Sequence, residues 1–134
     1  MSDKILYLPF TGGWAWTWWL PGVGTFYVLS RWLKKSPTDR DRVLTHERVH
    51  GAQIERHGAW FFYSRWFFSK HWRLRFEAEA YASNVRWFKA RDQTMWRYFP
   101  AVSIMDHYAE TLAKRYVFHW TIDECRTAIA RFLP

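Results

Sequence analysis

Cysteine occurs once in the 134 residues, at Cys125, which excludes an intrachain disulfide framework and any paired-cysteine zinc site. A metal bound by this chain must therefore be held by histidines and carboxylates. Acidic residues are also scarce, with 12 Asp and Glu against 20 Lys and Arg and a formal charge of +8. An unbroken apolar run is missing as well. The longest uncharged stretch, Ile5 to Ser30, is interrupted by Pro9, Gly12, Gly13, Pro21, Gly22 and Gly24. A spanning helix needs roughly 20 continuous apolar residues, so no transmembrane helix is expected. A basic start, apolar segment and cleavage site in series are not evident either, and the expectation is a mature soluble chain whose compartment stays open. What is abundant is aromatic: 11 Trp, 11 Phe and 7 Tyr, enough to exclude a disordered chain and to build one small core, expected as a single domain over residues 1–134.

The first third reads as short strands joined by turns. Ile5 to Phe10 is apolar, Trp14 to Leu20 alternates Trp with Ala or Thr, and Thr25 to Trp32 carries β-favouring Thr, Phe, Tyr and Val. These predict a small antiparallel sheet, with the Trp alternation as hairpin core. Ser36-Pro37-Thr38-Asp39 then offers a Ser cap, Pro at the first helical position and an acid in the first turn. With Gly58 as the stop, a helix is expected over about 37 to 57. A short aromatic helix is expected over Ala59 to Phe68 and a long one from about Trp72 to Ala90. Two more fit Ala101 to Phe118 and Ile122 to Phe132, the last capped by Thr121. The fold class is therefore α+β, mostly helical: a small N-terminal antiparallel sheet followed by four or five helices. There is no internal repeat and no linker.

Chemistry concentrates in His46-Glu47-Arg48-Val49-His50, inside the first long helix. Residues four apart share a helix face, so both imidazoles can reach one zinc ion at about 2.0 to 2.1 Å. Glu47 is turned by about 100° from His46, which sets its carboxylate beside the metal instead of on it, where it can act as general base. The bland alternative is a pair of solvated or packed histidines. His57, His71, His107 and His119 show no comparable pairing and are expected as surface or core residues.

A catalytic zinc commonly has three protein ligands and an open position. No further His follows His50 at the spacing used by metzincins. Arg75-Phe76-Glu77-Ala78-Glu79-Ala80-Tyr81 supplies two acids for the alternative, a carboxylate from a later helix. Glu77, Ala80, Tyr81 and Asn84 fall on one face, and Glu79 points about 160° away from it. Glu77 is thus preferred over Glu79, and the competing role for either is a surface ion pair with Arg73, Arg75 or Arg86.

His46-Glu47-x-x-His50-x-x-Gln53, followed by Glu77-x-x-Ala80-Tyr81, resembles the small gluzincin type of zinc metallopeptidase over about residues 25 to 90. The resemblance implies a zincin-like fold and one Zn2+ held by His46, His50 and Glu77. It implies Glu47 as general base in the hydrolysis of a peptide or amide bond. It further implies a sheet edge beside the motif helix for an extended substrate, for which Gly24 to Arg31 is the candidate. Tyr81 departs from the family pattern, standing where many members have an Asp. It is a candidate outer-sphere donor to the site, with a packed core Tyr as the alternative. The resemblance also implies a group that stabilises the oxyanion, for which His107, Tyr108 and Arg115 are the candidates.

Residues 59 to 99 carry eight Lys and Arg, three acids and fifteen aromatics. Buried rings with Arg side chains lying along helix surfaces give the same composition and are the first expectation; after that, rings interleaved with bases suit an anionic membrane or cell-envelope surface better than nucleic acid, which is not expected as a partner. The expected partner is a peptide or protein substrate. The competing function is a non-catalytic, zinc-bearing structural or docking component of a larger assembly, such as a virus particle or secretion device. Glu47 speaks for the enzyme, because a structural zinc site has no use for a non-ligating carboxylate.

Overall fold

The computed structural model describes residues 3–91, 101–115 and 120–134. Strands β1 (Ile5–Leu8), β2 (Ala15–Leu20) and β3 (Gly24–Ser30) come first, followed by a 3-10 turn, Arg31–Lys35. Helices α1 (Pro37–His57), α2 (Ala59–Phe68), α3 (Lys70–Ala90), α4 (Ala101–Arg115) and α5 (Ile122–Ala130) complete the described elements. The fold is α+β and mostly helical, with a three-stranded sheet ahead of five helices among the described residues. None of these helices is long and apolar enough to cross a membrane. The chain forms two compact units, residues 1–62 and 63–134.

In the first unit the sheet order is β1-β3-β2, with β2 antiparallel and β1 parallel to β3. The sheet is therefore mixed and not wholly antiparallel. The chain leaves β1, crosses the end of β3 and enters β2 on the far side, so β1 and β3 run in the same direction. Ser30 anchors that crossing, with its N–H donating to Trp14 O at 2.9 Å and its hydroxyl to Gly12 O. The return is a tight turn in which Val23 N–H donates to Leu20 O at 3.1 Å. Pro21 pre-sets the first central residue, and Gly22 takes the second at φ 78°, a conformation that disfavours any side chain. Because β3 is the central strand, Gly24 to Arg31 has no edge to give a substrate; the edges belong to β1 and β2.

One face of the sheet packs on α1, where Tyr27, Leu29, Leu33 and Leu44 form the core with Ile5, Tyr7, Ala15 and Val43. Trp16 and Trp18 face the other way and remain 42% and 47% exposed, so the Trp alternation is not hairpin core. The inward position between them is Thr17, 8% exposed. Helix α1 starts at Pro37 and stops before Gly58, as expected. Ser36 does not cap it through the backbone, however; its hydroxyl donates to the Asp39 carboxylate at 2.7 Å. The helix also lies close to β3 at Gly51, where a Cβ would come within 2.7 Å of Tyr27 Oη and 3.2 Å of Thr25 Cγ2.

The second unit is built on small residues of α3. Ala78, Ala82 and Val85 pack with Ile104, Tyr108 and Leu112 of α4 and with Cys125 and Ile129 of α5. Thr121 starts α5 with a full capping box, its side chain accepting from Glu124 N–H at 3.1 Å and Glu124 accepting from Thr121 N–H at 2.8 Å. Burial pushes the Cys125 thiol up to about 11, so at neutral pH it packs as an apolar group. The expected end of α4 at Phe118, and His119, lie outside the described residues.

Two predictions follow from the α1–β3 approach. Alanine at Gly51 gains roughly 1 kcal/mol of helix propensity but costs about 1–3 kcal/mol in overpacking. Gly51→Ala should lower the urea midpoint in wild type and lower it less in a Tyr27→Phe background, where the nearest atom is gone; a double-mutant cycle by denaturation reads the difference. Burial, and then the nearby Asp3, raise the Tyr27 hydroxyl above its ordinary 10.0. The folded chain therefore holds that proton more tightly than the unfolded chain. The resulting stability is complete below about pH 10 and is lost as pH rises through the folded value. Tyr27→Phe should lack this part of the alkaline loss when urea midpoints are compared on either side of that pH.

Candidate metal centre

Helix α1 presents His46 and His50 one turn apart, with ring centroids 4.9 Å from each other and planes at 80°. Both are buried, and the His50 ring also meets Phe62 at 5.6 Å. Gln53, a turn further on and wholly buried, fixes the His50 tautomer: its Oε1 lies 2.9 Å from Nδ1. That oxygen only accepts, so Nδ1 carries the proton and Nε2 is left with the lone pair a metal needs.

Glu47 faces β2. Its side chain is 7% exposed, and Thr17 Oγ1 sits 2.6 Å from its Oε2 and 2.9 Å from its backbone carbonyl. A charged acceptor given a short hydrogen bond by a buried hydroxyl is held in one orientation. The helix dictates which way Glu47 points, and strand periodicity brings Thr17 to meet it, since the residues on either side of Thr17 turn outward.

Glu77 lies on α3, 2% exposed, and its Oε1 accepts a hydrogen bond from Trp66 Nε1 at 2.8 Å. Trp66 is set in turn by Arg73, whose Nε donates to the Trp66 carbonyl at 2.6 Å and whose guanidinium lies 5.2 Å from the indole centroid. His46, His50 and Glu77 form one buried group with ligand atoms all within 4.8 Å of one another, and this group could hold a metal ion. Two imidazoles and a carboxylate are donors that suit zinc among several divalent metals.

Glu79 is not in the group and is partly exposed. Tyr81 is buried in the core of the second unit, its ring 5.1 Å from that of Tyr108. His107 and Arg115 are exposed on α4, and Tyr108 is buried. His57 stacks on Phe61 at 5.3 Å, and His71 meets Trp120 edge-on at 5.1 Å. Thr17 and Trp66 were beyond sequence reasoning, since neither has a spacing relation to the motif. Gln53 had such a relation, three residues past His50.

Compared with family models, with curated proteins and with solved structures, the chain matches none.

The Thr17 contact yields a prediction. Thr17→Val keeps the shape and leaves a buried carboxylate without its hydroxyl donor, at a cost of about 1–3 kcal/mol. Urea denaturation should show that loss in Thr17→Val and most of it restored in Thr17→Ser.

Proposed function

We propose that this chain is a zinc-dependent metallopeptidase of gluzincin-like design, in which His46, His50 and Glu77 hold the ion and Glu47 is the general base. The observation that carries this reading is Glu47 itself: buried between the two histidines in sequence, outside the group of ligand atoms, and oriented by Thr17. A purely structural site needs no such carboxylate, and structural zinc usually takes a fourth Cys or His.

A bound zinc ion would supply a Lewis acid for the scissile carbonyl and a water acidic enough to lose a proton near neutral pH. Thr17 holds Glu47 Oε2, and Oε1 takes the proton from the attacking water and returns it to the leaving amine. Gln53 keeps His50 Nε2 free of hydrogen, and Trp66 performs the matching task of orienting Glu77. The extended substrate lies along β2, an edge strand that carries Thr17 and can add a further strand through its backbone groups.

The test starts with elemental analysis of chain purified without added metal. About one zinc per chain is expected, lost in His46→Ala and Glu77→Ala and retained in Glu79→Ala and Glu47→Gln. Against a mixed peptide library read by mass spectrometry, Glu47→Gln should cleave at least about 100-fold more slowly than wild type. Equal cleavage by Glu47→Gln removes Glu47 from its role. A zinc-loaded wild type that cleaves nothing in the library supports the structural component instead, and absence of zinc after reconstitution overturns both readings.

A further inference from the structure

The sheet of the first unit has two faces of different chemistry. The face toward α1 carries the core, whereas the opposite face sets Leu6 and Trp16 on either side of Val28 in register, with Trp18 opposite Phe26. Val28 is buried beneath these side chains, yet Leu6, Trp16, Trp18 and Leu20 are 42–50% exposed. The crossing from β1 to β2 extends the surface. Phe10 meets Trp16 edge-on at 6.1 Å, and Trp14 lies 5.8 Å from Trp16. At the other end Lys4 reaches over the β2–β3 turn, its Nζ donating to Val23 O at 2.5 Å.

We propose that this outer face is a peripheral docking surface for an anionic lipid bilayer. Two observations select that occupant over another protein. First, three of the exposed side chains, Trp14, Trp16 and Trp18, are indoles, which combine an apolar body with one N–H donor and so suit the boundary between headgroups and acyl chains. Second, residues 4–38, which include the whole sheet, contain four Lys and Arg and no acid. Lys4 stands two residues before Leu6 on the same strand face, and with the sheet's own segment wholly basic its charge is complementary to anionic headgroups, whereas an interface between two copies of this chain would set like charges against each other. The ring contacts already hold Phe10, Trp14 and Trp16 together, so little side-chain freedom is lost on docking. This inference is independent of the metal centre.

The experiment is flotation of the full chain with vesicles of phosphatidylglycerol and phosphatidylcholine, beside vesicles of phosphatidylcholine alone. Tryptophan quenching by brominated lipid is read in parallel. Wild type should float with the anionic vesicles and be quenched. Trp16→Ser/Trp18→Ser, both exposed positions, should lose flotation while keeping the wild-type far-ultraviolet circular dichroism. Lys4→Glu should weaken partitioning about fivefold or more, the equivalent of ~1 kcal/mol for each basic group at an anionic surface, and high salt should do the same. A wild type that stays unbound, or flotation unchanged in the folded double variant, overturns the proposal. So does a dimer in sedimentation velocity that the double variant disperses, since a second copy would then occupy the face. Equal flotation with phosphatidylcholine alone overturns the anionic surface.

Discussion

The single hydroxyl proton of Thr17 is shared between the carboxylate and the backbone carbonyl of Glu47, and through that contact β2 is fixed against α1 at the point where the candidate ligands sit. A backbone carbonyl in mid-helix is already engaged along the helix axis, so a second, lateral donor has to approach closely. The close contact at Gly51 has the same effect one turn further along, where any side chain would run into Tyr27 and Thr25. Together the two contacts set both the distance and the rotation of α1 relative to the sheet. Rotation matters most, because a turn of the helix that moved Glu47 off Thr17 would carry His46 and His50 with it.

What could be read in the sequence divides along local and non-local physics. Helix α1 was legible to the residue because Pro37 and Gly58 act on their own neighbours, and the capping box at Thr121 and Glu124 was legible for the same reason. The pairing of His46 with His50 follows from helix period alone, and the preference for Glu77 over Glu79 follows from which face of α3 each occupies. Strand order was not legible. Nothing in Pro9 to Gly13 reveals that the chain will cross the end of β3, the step that sets β1 parallel to it. The Trp alternation was misread because alternation says that a strand has two faces without saying which one is buried. Ranking by hydrophobicity puts Trp inside; the hydroxyl that Glu47 requires puts Thr17 there instead.

The supporting residues were hidden for a related reason. Trp66 reaches Glu77 across eleven residues of chain and Thr17 reaches Glu47 across thirty, separations at which sequence spacing carries no geometric information. Such partners matter because a metal ligand or a base is only as well placed as the group that orients it. Since the chain matches no family model, the case for its chemistry rests on these contacts and on the motif they support. Those contacts give Glu47 a buried hydroxyl, His50 a buried amide and Glu77 an indole as partners.

Strand β2 connects the site to the outer face. Its side chains alternate, so Thr17 and its neighbours Trp16 and Trp18 have their directions set by a single choice of register against β3. A slip of one residue would turn an indole toward Glu47 and expose Thr17, losing the hydroxyl partner of Glu47 and the aromatic surface together. The turn at Leu20 to Val23 resists that slip, because Gly22 alone among its central residues sits at positive φ, and moving the turn would place Pro21 or Val23 there. Register is therefore held at both ends of the strand, by the Pro-Gly turn at one and by the Ser30 anchors on the β1–β2 crossing at the other. With both ends fixed, Thr17 has one direction to face, and it faces Glu47.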